Sequence, residues 1–361
     1  MIARFRIVFK EKRPGAKNLY YMSRRLIRIV LSSGVRFPSL TLKVMLGITY
    51  RCQCDCSYCG ISPYSKDRPE LSRRSLEEII DQIAVLPYPF ICLSFFGGEP
   101  LLRNDIYSLI SHAVRKGLLC EVETNGVLLN SDNVENLRSA GVSHLFVNMD
   151  SADGARHDSI KKLSAYEAAL DGIARCKKAD IPCSISKCVS DEGLLNNGIK
   201  EIIKLGKRIG VATVRLLPLV DMALWKGAGM PDGLKRPSAD SIKSFLEPGF
   251  VYLESTGCDD PSAERSCAFL SKEFFYISPY GEVQPCPYFP VSFGDLTEYR
   301  LQEVLGKMHG EEAFSVAGCA DCAAVNTLFL NYFGRASRGK TLLINRECEK
   351  TDLKELETAG V

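Results

Sequence analysis

From about residue 40 onward the chain switches repeatedly between two hydrophobic periods. Short, nearly continuous apolar runs occur at Leu40–Ile48, Ile91–Phe96, Leu119–Glu123, Ser143–Met149, Cys183–Val189 and Thr213–Leu217. Runs of this kind read as strands buried on both faces. Between them apolar positions recur at helical spacing, over Ser75–Leu86, Asn104–Lys116, Ser131–Ala140, Tyr166–Lys178 and Leu195–Ile209. Ser75, with Glu78 three residues later, predicts a capping box at the first of these helices, and Gly117 predicts the end of the second. Strands alternating with helices predict a parallel sheet with right-handed crossovers, in the α/β class. Periodicity alone does not separate a barrel from an open doubly wound sheet.

The alternation stops after Leu217. Met222–Pro237 gathers Gly227, Gly229, Gly233, Pro231 and Pro237 near the single tryptophan, Trp225. It reads as a loop, either a plain connector or one facing a substrate. Beyond it, Phe274–Ile277 and Val283–Gln284 flank Ser278-Pro279-Tyr280-Gly281-Glu282, a hairpin signal, and Leu301–Met308 reads as a short helix. The expected divisions are an N-terminal arm (1–39), a strand–helix domain (40–221), a linker (222–257), a small α+β domain (258–335) and a tail (336–361).

Composition narrows the class. Of 361 residues, 46% are hydrophobic, which supports a sizeable core. No apolar run reaches the length of a membrane span. The start, Met1-Ile2-Ala3-Arg4-Phe5-Arg6, lacks the apolar core and cleavage site of a secretory signal. Fifteen cysteines without such a signal predict a reducing, cytoplasmic setting, where thiols serve metals or chemistry rather than disulfides. Net charge is +3 but unevenly spread. Residues 1–44 hold eleven Lys or Arg and one acid, giving +10, whereas the other 317 hold 35 basic and 42 acidic residues, giving −7. Within the arm, Leu19–Leu31 is patterned as an amphipathic helix with Arg24, Arg25 and Arg28 on one face. Packing against the strand–helix domain is one reading, and contact with an anionic partner, peptide or membrane surface is the other. No nucleic-acid partner is expected.

The densest chemistry lies just past the first predicted strand, in Thr49-Tyr50-Arg51-Cys52-Gln53-Cys54-Asp55-Cys56-Ser57-Tyr58-Cys59. Cys52, Cys56 and Cys59 can hold three irons of a [4Fe–4S] cube and leave the fourth open for a small molecule. A zinc site drawn from the same cysteines is the alternative, although four thiols so close in sequence are crowded for a tetrahedron. The second strand ends in Gly97-Gly98-Glu99-Pro100, the third in Thr124-Asn125-Gly126, and the fourth carries Val147-Asn148-Met149-Asp150. In parallel α/β folds the C-terminal strand ends are where sites are built.

The cysteine loop, with aromatic Tyr58 before its last cysteine, resembles that of the radical S-adenosylmethionine (radical SAM) enzymes, and the later segments extend the likeness over residues 40–325. The resemblance implies a partial (β/α)6 barrel and a cluster on Cys52, Cys56 and Cys59. It assigns Tyr58, Gly97, Gly98, Glu99, Pro100, Asn125, Asn148 and Leu217 to SAM, with Asn148 standing where relatives often have serine. Arg215 reads equally as a structural ion pair. Farther on, Cys267, Cys286, Cys319 and Cys322 resemble the auxiliary-cluster region of SPASM and shortened twitch proteins, with the twitch form favoured because only Cys348 follows. Four such thiolates would close a second [4Fe–4S] cluster, and structural zinc is the alternative. Cys258 is a substitute ligand for Cys267.

The implied reaction is reductive SAM cleavage to a 5′-deoxyadenosyl radical, which takes hydrogen from a peptide or small-molecule substrate. Electrons would come from a donor such as flavodoxin or ferredoxin. A lipid-modifying radical SAM enzyme at a membrane surface, or a non-enzymatic iron–sulfur or zinc protein, are the other readings. Cys92, Cys120, Cys176, Cys183 and Cys188 fall in predicted strands or helices and read as small buried hydrophobes. His112, His144, His157 and His309 are scattered and receive no catalytic role.

Overall fold

The computed structural model describes residues 16–33, 39–60, 68–190, 197–219, 225–226, 239–254, 268–289, 291–311, 314, 336–337 and 342–343. Cys267, Cys319, Cys322 and most of Met222–Pro237 lie outside the described residues. In chain order the elements are α1 (Ala16–Ser33), β1 (Thr41–Thr49), α2 (Arg73–Ala84), β2 (Phe90–Gly97), α3 (Ile106–Arg115), β3 (Leu119–Thr124), α4 (Ser131–Ala140), β4 (His144–Asn148), α5 (Gly154–Lys161) and α6 (Tyr166–Lys178). There follow β5 (Cys183–Val189), α7 (Gly198–Ile209), β6 (Val214–Pro218), β7 (Trp225–Lys226), α8 (Ala239–Lys243), β8 (Val251–Leu253), β9 (Phe274–Ile277), β10 (Val283–Gln284), β11 (Val291–Ser292) and α9 (Leu301–His309). Two short strands close the series, β12 (Ala336–Ser337) on β7 and β13 (Leu342–Leu343) on β11. Among the described residues no helix is long and apolar enough to cross a membrane.

The six predicted strands form consecutive parallel neighbours, β1 to β6. Their near-continuous burial follows from helices packed outside and side chains filling the inside. Two elements extend this sheet beyond the sequence expectation. β8 adds in parallel to β6, and β9, from far along the chain, adds in parallel to the free edge of β1. β10 completes the predicted hairpin on β9. The first helix begins at Arg73 rather than Ser75, because Ser72 is the N-cap, its Oγ accepting from Ser75 N–H at 3.1 Å. The extra turn carries two ion pairs of i,i+4 spacing, Arg73–Glu77 and Arg74–Glu78.

Side chains meeting across the lumen show that the sheet curls. Arg215 on β6 pairs with Glu123 on β3 at 2.9 Å, and with Glu254 just after β8 at 2.5 Å. Lys43 on β1 reaches Glu254 at 2.8 Å, joining the two ends of the β1–β8 arc. The Arg215 guanidinium also lies 3.8 Å from the ring centroid of Phe146 on β4 and donates to Ser186 Oγ on β5. A flat sheet could not bring these strands together. Arg215 is therefore a structural ion pair, and this network forms a charged interior to the barrel.

Candidate active site

The cysteine loop leaves the C-terminal end of β1 and lies directly over the end of β2. Gly98 N–H donates to Thr49 O and Glu99 N–H to Arg51 O, both at 2.8 Å. A Cβ on Gly97 would stand 2.0 Å from Thr49 O, and one on Gly98 2.2 Å from Arg51 O. Gly97 also has φ +144°. Both glycines are thus demanded by the close passage of the cysteine loop's own backbone.

Further contacts fix the loop on both sides. Glu70 accepts from Thr49 Oγ1 at 2.7 Å and from Tyr50 N–H at 2.8 Å. The buried Tyr50 ring packs edge-on against Tyr280 of the β9–β10 hairpin, and its hydroxyl lies 3.3 Å from that of Tyr276 on β9. On the far side, Asp55 N–H donates to Lys161 O and Ser57 N–H to Ile160 O, each at 3.2 Å, so the loop is pinned to the end of α5. Gln53 Nε2 donates to Asn125 Oδ1 at 3.2 Å, while Asn125 Nδ2 points at Cys52 Sγ from 3.8 Å.

The thiols form no disulfide, are half-buried and are unequal. Cys54 donates to both Cys52 and Cys56. That hydrogen bond is the largest influence bringing Cys52 down to about 6, against burial and with help from Asn125 and Lys161. Cys56 is lowered in the same way, whereas Cys54 is pushed up. Two of the three expected ligands are therefore biased toward the thiolate. Cys59 sits one turn on, its N–H donating to Cys56 O at 3.1 Å. Among the described residues no three His, Cys, Asp or Glu side chains converge for a single metal ion.

Glu99 is fully buried and acts as a strut. It accepts from Leu101 N–H at 3.1 Å, Thr124 Oγ1 at 2.9 Å and Asn125 N–H at 2.8 Å, tying the ends of β2 and β3 together. Burial pushes its carboxyl up to about 7 against the pull of those donors. Pro100 opens a single 3-10 turn behind it. Asn148, at the end of β4, donates to Ser186 O at 3.0 Å and accepts from Lys161 Nζ. Leu217 on β6 is half-buried and paired in register with Cys188 on β5.

A buried charged cluster under the loop had no counterpart in the sequence reading. Lys161 Nζ lies 2.9 Å from Asp150 Oδ2, and Lys187 Nζ donates to Asp150 O at 2.5 Å. Asp150 N–H donates to His157 Nδ1 at 3.2 Å. Burial works against the Asp150 carboxylate, but Lys161, the Tyr58 hydroxyl and Lys187 outweigh it and hold the carboxyl low. Tyr58 keeps its hydroxyl sealed from solvent beside Asp150 and Cys188. Cys188 departs from the buried-hydrophobe expectation that Cys92, Cys120, Cys176 and Cys183 meet: it is half-buried and faces Tyr58, with burial and Asp150 pushing it up to about 12. The signal was available, since Ser184, Ser186 and Cys188 share one face of β5 by simple alternation. Lys161 ends a short helix with no apolar stripe, so nothing in the pattern pointed to it. Cys286 is half-buried, and the Tyr288 hydroxyl is pushed up first by burial and then by Cys188 and Cys286 nearby.

Two family profiles match the chain. That of the radical SAM superfamily covers residues 46–217, and that of the SPASM iron–sulfur cluster-binding domain covers residues 267–323, from Cys267 to just past Cys322. An AdoMet-dependent heme synthase of Methanosarcina barkeri is 28% identical over 282 residues, covering 71% of this chain and 80% of the relative. A PqqA peptide cyclase of Gluconobacter oxydans is 29% identical over 264 residues, covering 69% of this chain and 71% of the relative. Among solved structures, Streptococcus suis SuiB bound to its precursor peptide SuiA shares the fold at TM-score 0.65 and 14% identity, covering 88% of this chain and 78% of that one.

Proposed function

Since the chain belongs to the radical SAM superfamily of enzymes and carries an iron–sulfur cluster-binding SPASM domain, we propose that it oxidises a peptide or small-molecule substrate by hydrogen abstraction. The family implies SAM and iron–sulfur clusters. The donor set suits them: three thiols outside any disulfide on one loop, two of them lowered, with the Asn125 amide and the Lys161 ammonium at hand to offset thiolate charge. When bound at Cys52, Cys56 and Cys59, the cluster and SAM supply a 5′-deoxyadenosyl radical.

The chain's own residues hold that chemistry in place. The backbone at Gly97 and Gly98 seats the loop, and Glu99 fixes the Asn125 turn beside it. Tyr58, Pro100, Asn148 and Leu217 would complete the SAM site. The Asp150–Lys161 pair supports the loop from below, and the Arg215 network lines the barrel interior behind it. Cys286, with Cys267, Cys319 and Cys322, would hold an auxiliary cluster that accepts an electron from the substrate radical. A flavodoxin or ferredoxin would supply the electron for cleavage. A peptide substrate draws support from the relatives named for peptide cyclisation and for precursor-peptide binding, and a small molecule from the heme synthase.

The observation that carries the reading is the three-cysteine loop locked over Gly97–Gly98 at the mouth of a curled parallel sheet. The test is 5′-deoxyadenosine formation from SAM by the anaerobically reconstituted, reduced protein. Cleavage should occur in the parent, disappear in Cys56→Ala, and persist in Cys54→Ala. Cleavage retained by Cys56→Ala would remove the assignment.

A further inference from the structure

Helix α1 turns an unusual face to solvent. Five of the seven large hydrophobic side chains exposed among the described residues lie on it: Leu19, Tyr20, Ile27, Val30 and Leu31, at 42% to 81% exposure. At 3.6 residues per turn they occupy one arc of about 120°, with Arg24 and Arg28 along one flank. The opposite face is fastened to the barrel by polar anchors. Asn18 Nδ2 donates to Gly141 O at 3.1 Å and Ser143 Oγ at 3.2 Å. Arg25 is 3% exposed, and its guanidinium donates to the carbonyls of Ala84, Leu86, Tyr88 and Pro89 at 2.7–3.0 Å. Arg25 therefore belongs to the barrel contact rather than to the outward basic face that the sequence suggested.

The anchors also fix where the arc points. Residues 84–89, 117 and 141–143 lead into the N-terminal ends of β2, β3 and β4, and α1 packs across them, close enough for a Cβ at Gly117 to meet Tyr21 O at 2.7 Å. The apolar arc thus faces away from the barrel at the pole opposite the cysteine loop. Arg24 and Arg28 are exposed beside it, in a sequence segment, residues 1–44, that carries +10 against −7 for the rest of the chain.

We propose that α1 docks this enzyme on an anionic membrane surface, with the apolar arc in the headgroup boundary and Arg24 and Arg28 on lipid phosphates. A second copy of the chain is the poorer occupant, because a two-fold contact would bring the exposed Arg24 and Arg28 of both copies together. A peptide partner would leave the apolar breadth of the arc unexplained. Docked this way, the mouth of the site faces water, so its substrate arrives from the aqueous side.

The test is sedimentation of the whole reconstituted protein with vesicles of phosphatidylcholine alone or mixed with phosphatidylglycerol, at low and high salt. The parent should pellet with the anionic vesicles and less so at high salt. Ile27→Glu with Leu31→Glu should weaken binding at least roughly tenfold. Arg24→Gln with Arg28→Gln should also weaken it roughly tenfold and abolish the preference for phosphatidylglycerol. All variants should keep the parental melting temperature and SAM cleavage. A parent that stays in the supernatant, variants that bind as the parent does, or a parental dimer that the glutamates dissociate would each overturn the proposal.

Discussion

Glu99 shows how one side chain serves scaffold and site together. Its folded pKa is raised to about 7, so its contribution to stability is full below about pH 4 and is lost as pH rises through about 7. Urea unfolding of the parent and of Glu99→Gln should show the parent's advantage shrink by on the order of 3 kcal/mol between about pH 4 and pH 8. A constant difference would mean that the strut does not titrate in that range. Cys54 poses a sharper question, since it hydrogen-bonds two of the expected ligands without fitting the three-cysteine spacing. The persistence of cleavage in Cys54→Ala separates a supporting thiol from a fourth ligand.

At the scale of elements, one guanidinium makes four of the hydrogen bonds that hold α1 to the barrel. Arg25→Met removes four hydrogen bonds to buried carbonyls and should cost about 3 kcal/mol, read as a lower urea midpoint, while SAM cleavage persists. Loss of cleavage in the same proportion would tie the helix to the site. The motifs at the ends of β1, β2 and β3 were legible because each follows an apolar run and carries glycine or polar residues that a strand would not. Cys188 was legible only through the alternation of β5. Lys161 was hidden because a helix as short as α5 carries no stripe. The N-cap moved from Ser75 to Ser72 because both serines satisfy the same local rule and only the extra ion-paired turn decides between them.

For the whole molecule, the two cysteine sets make a stoichiometric prediction. Reconstituted protein should hold about eight irons and as many sulfides. About four irons with one zinc would make the C-terminal site structural. Cys319→Ala with Cys322→Ala should still cleave SAM yet form no product, and equal loss of both activities would mean that the second set mainly supports folding. The likeness of β1–β6 to a barrel was readable from periodicity and motif, but the placement of β9 was not, because strand pairing over such separations leaves no local mark.

That placement has a consequence for how the protein is made. β1 emerges from the ribosome long before Phe274–Ile277, the strand that covers its second edge in register with Lys43–Leu46. Until β9 arrives, the nascent sheet carries an unpaired, strongly apolar border. Synthesis order and final topology are thus at odds, and the late segment completes the sheet as well as bearing Cys286. A chain cut between the two regions would be an unfinished sheet with an adhesive margin rather than a smaller enzyme.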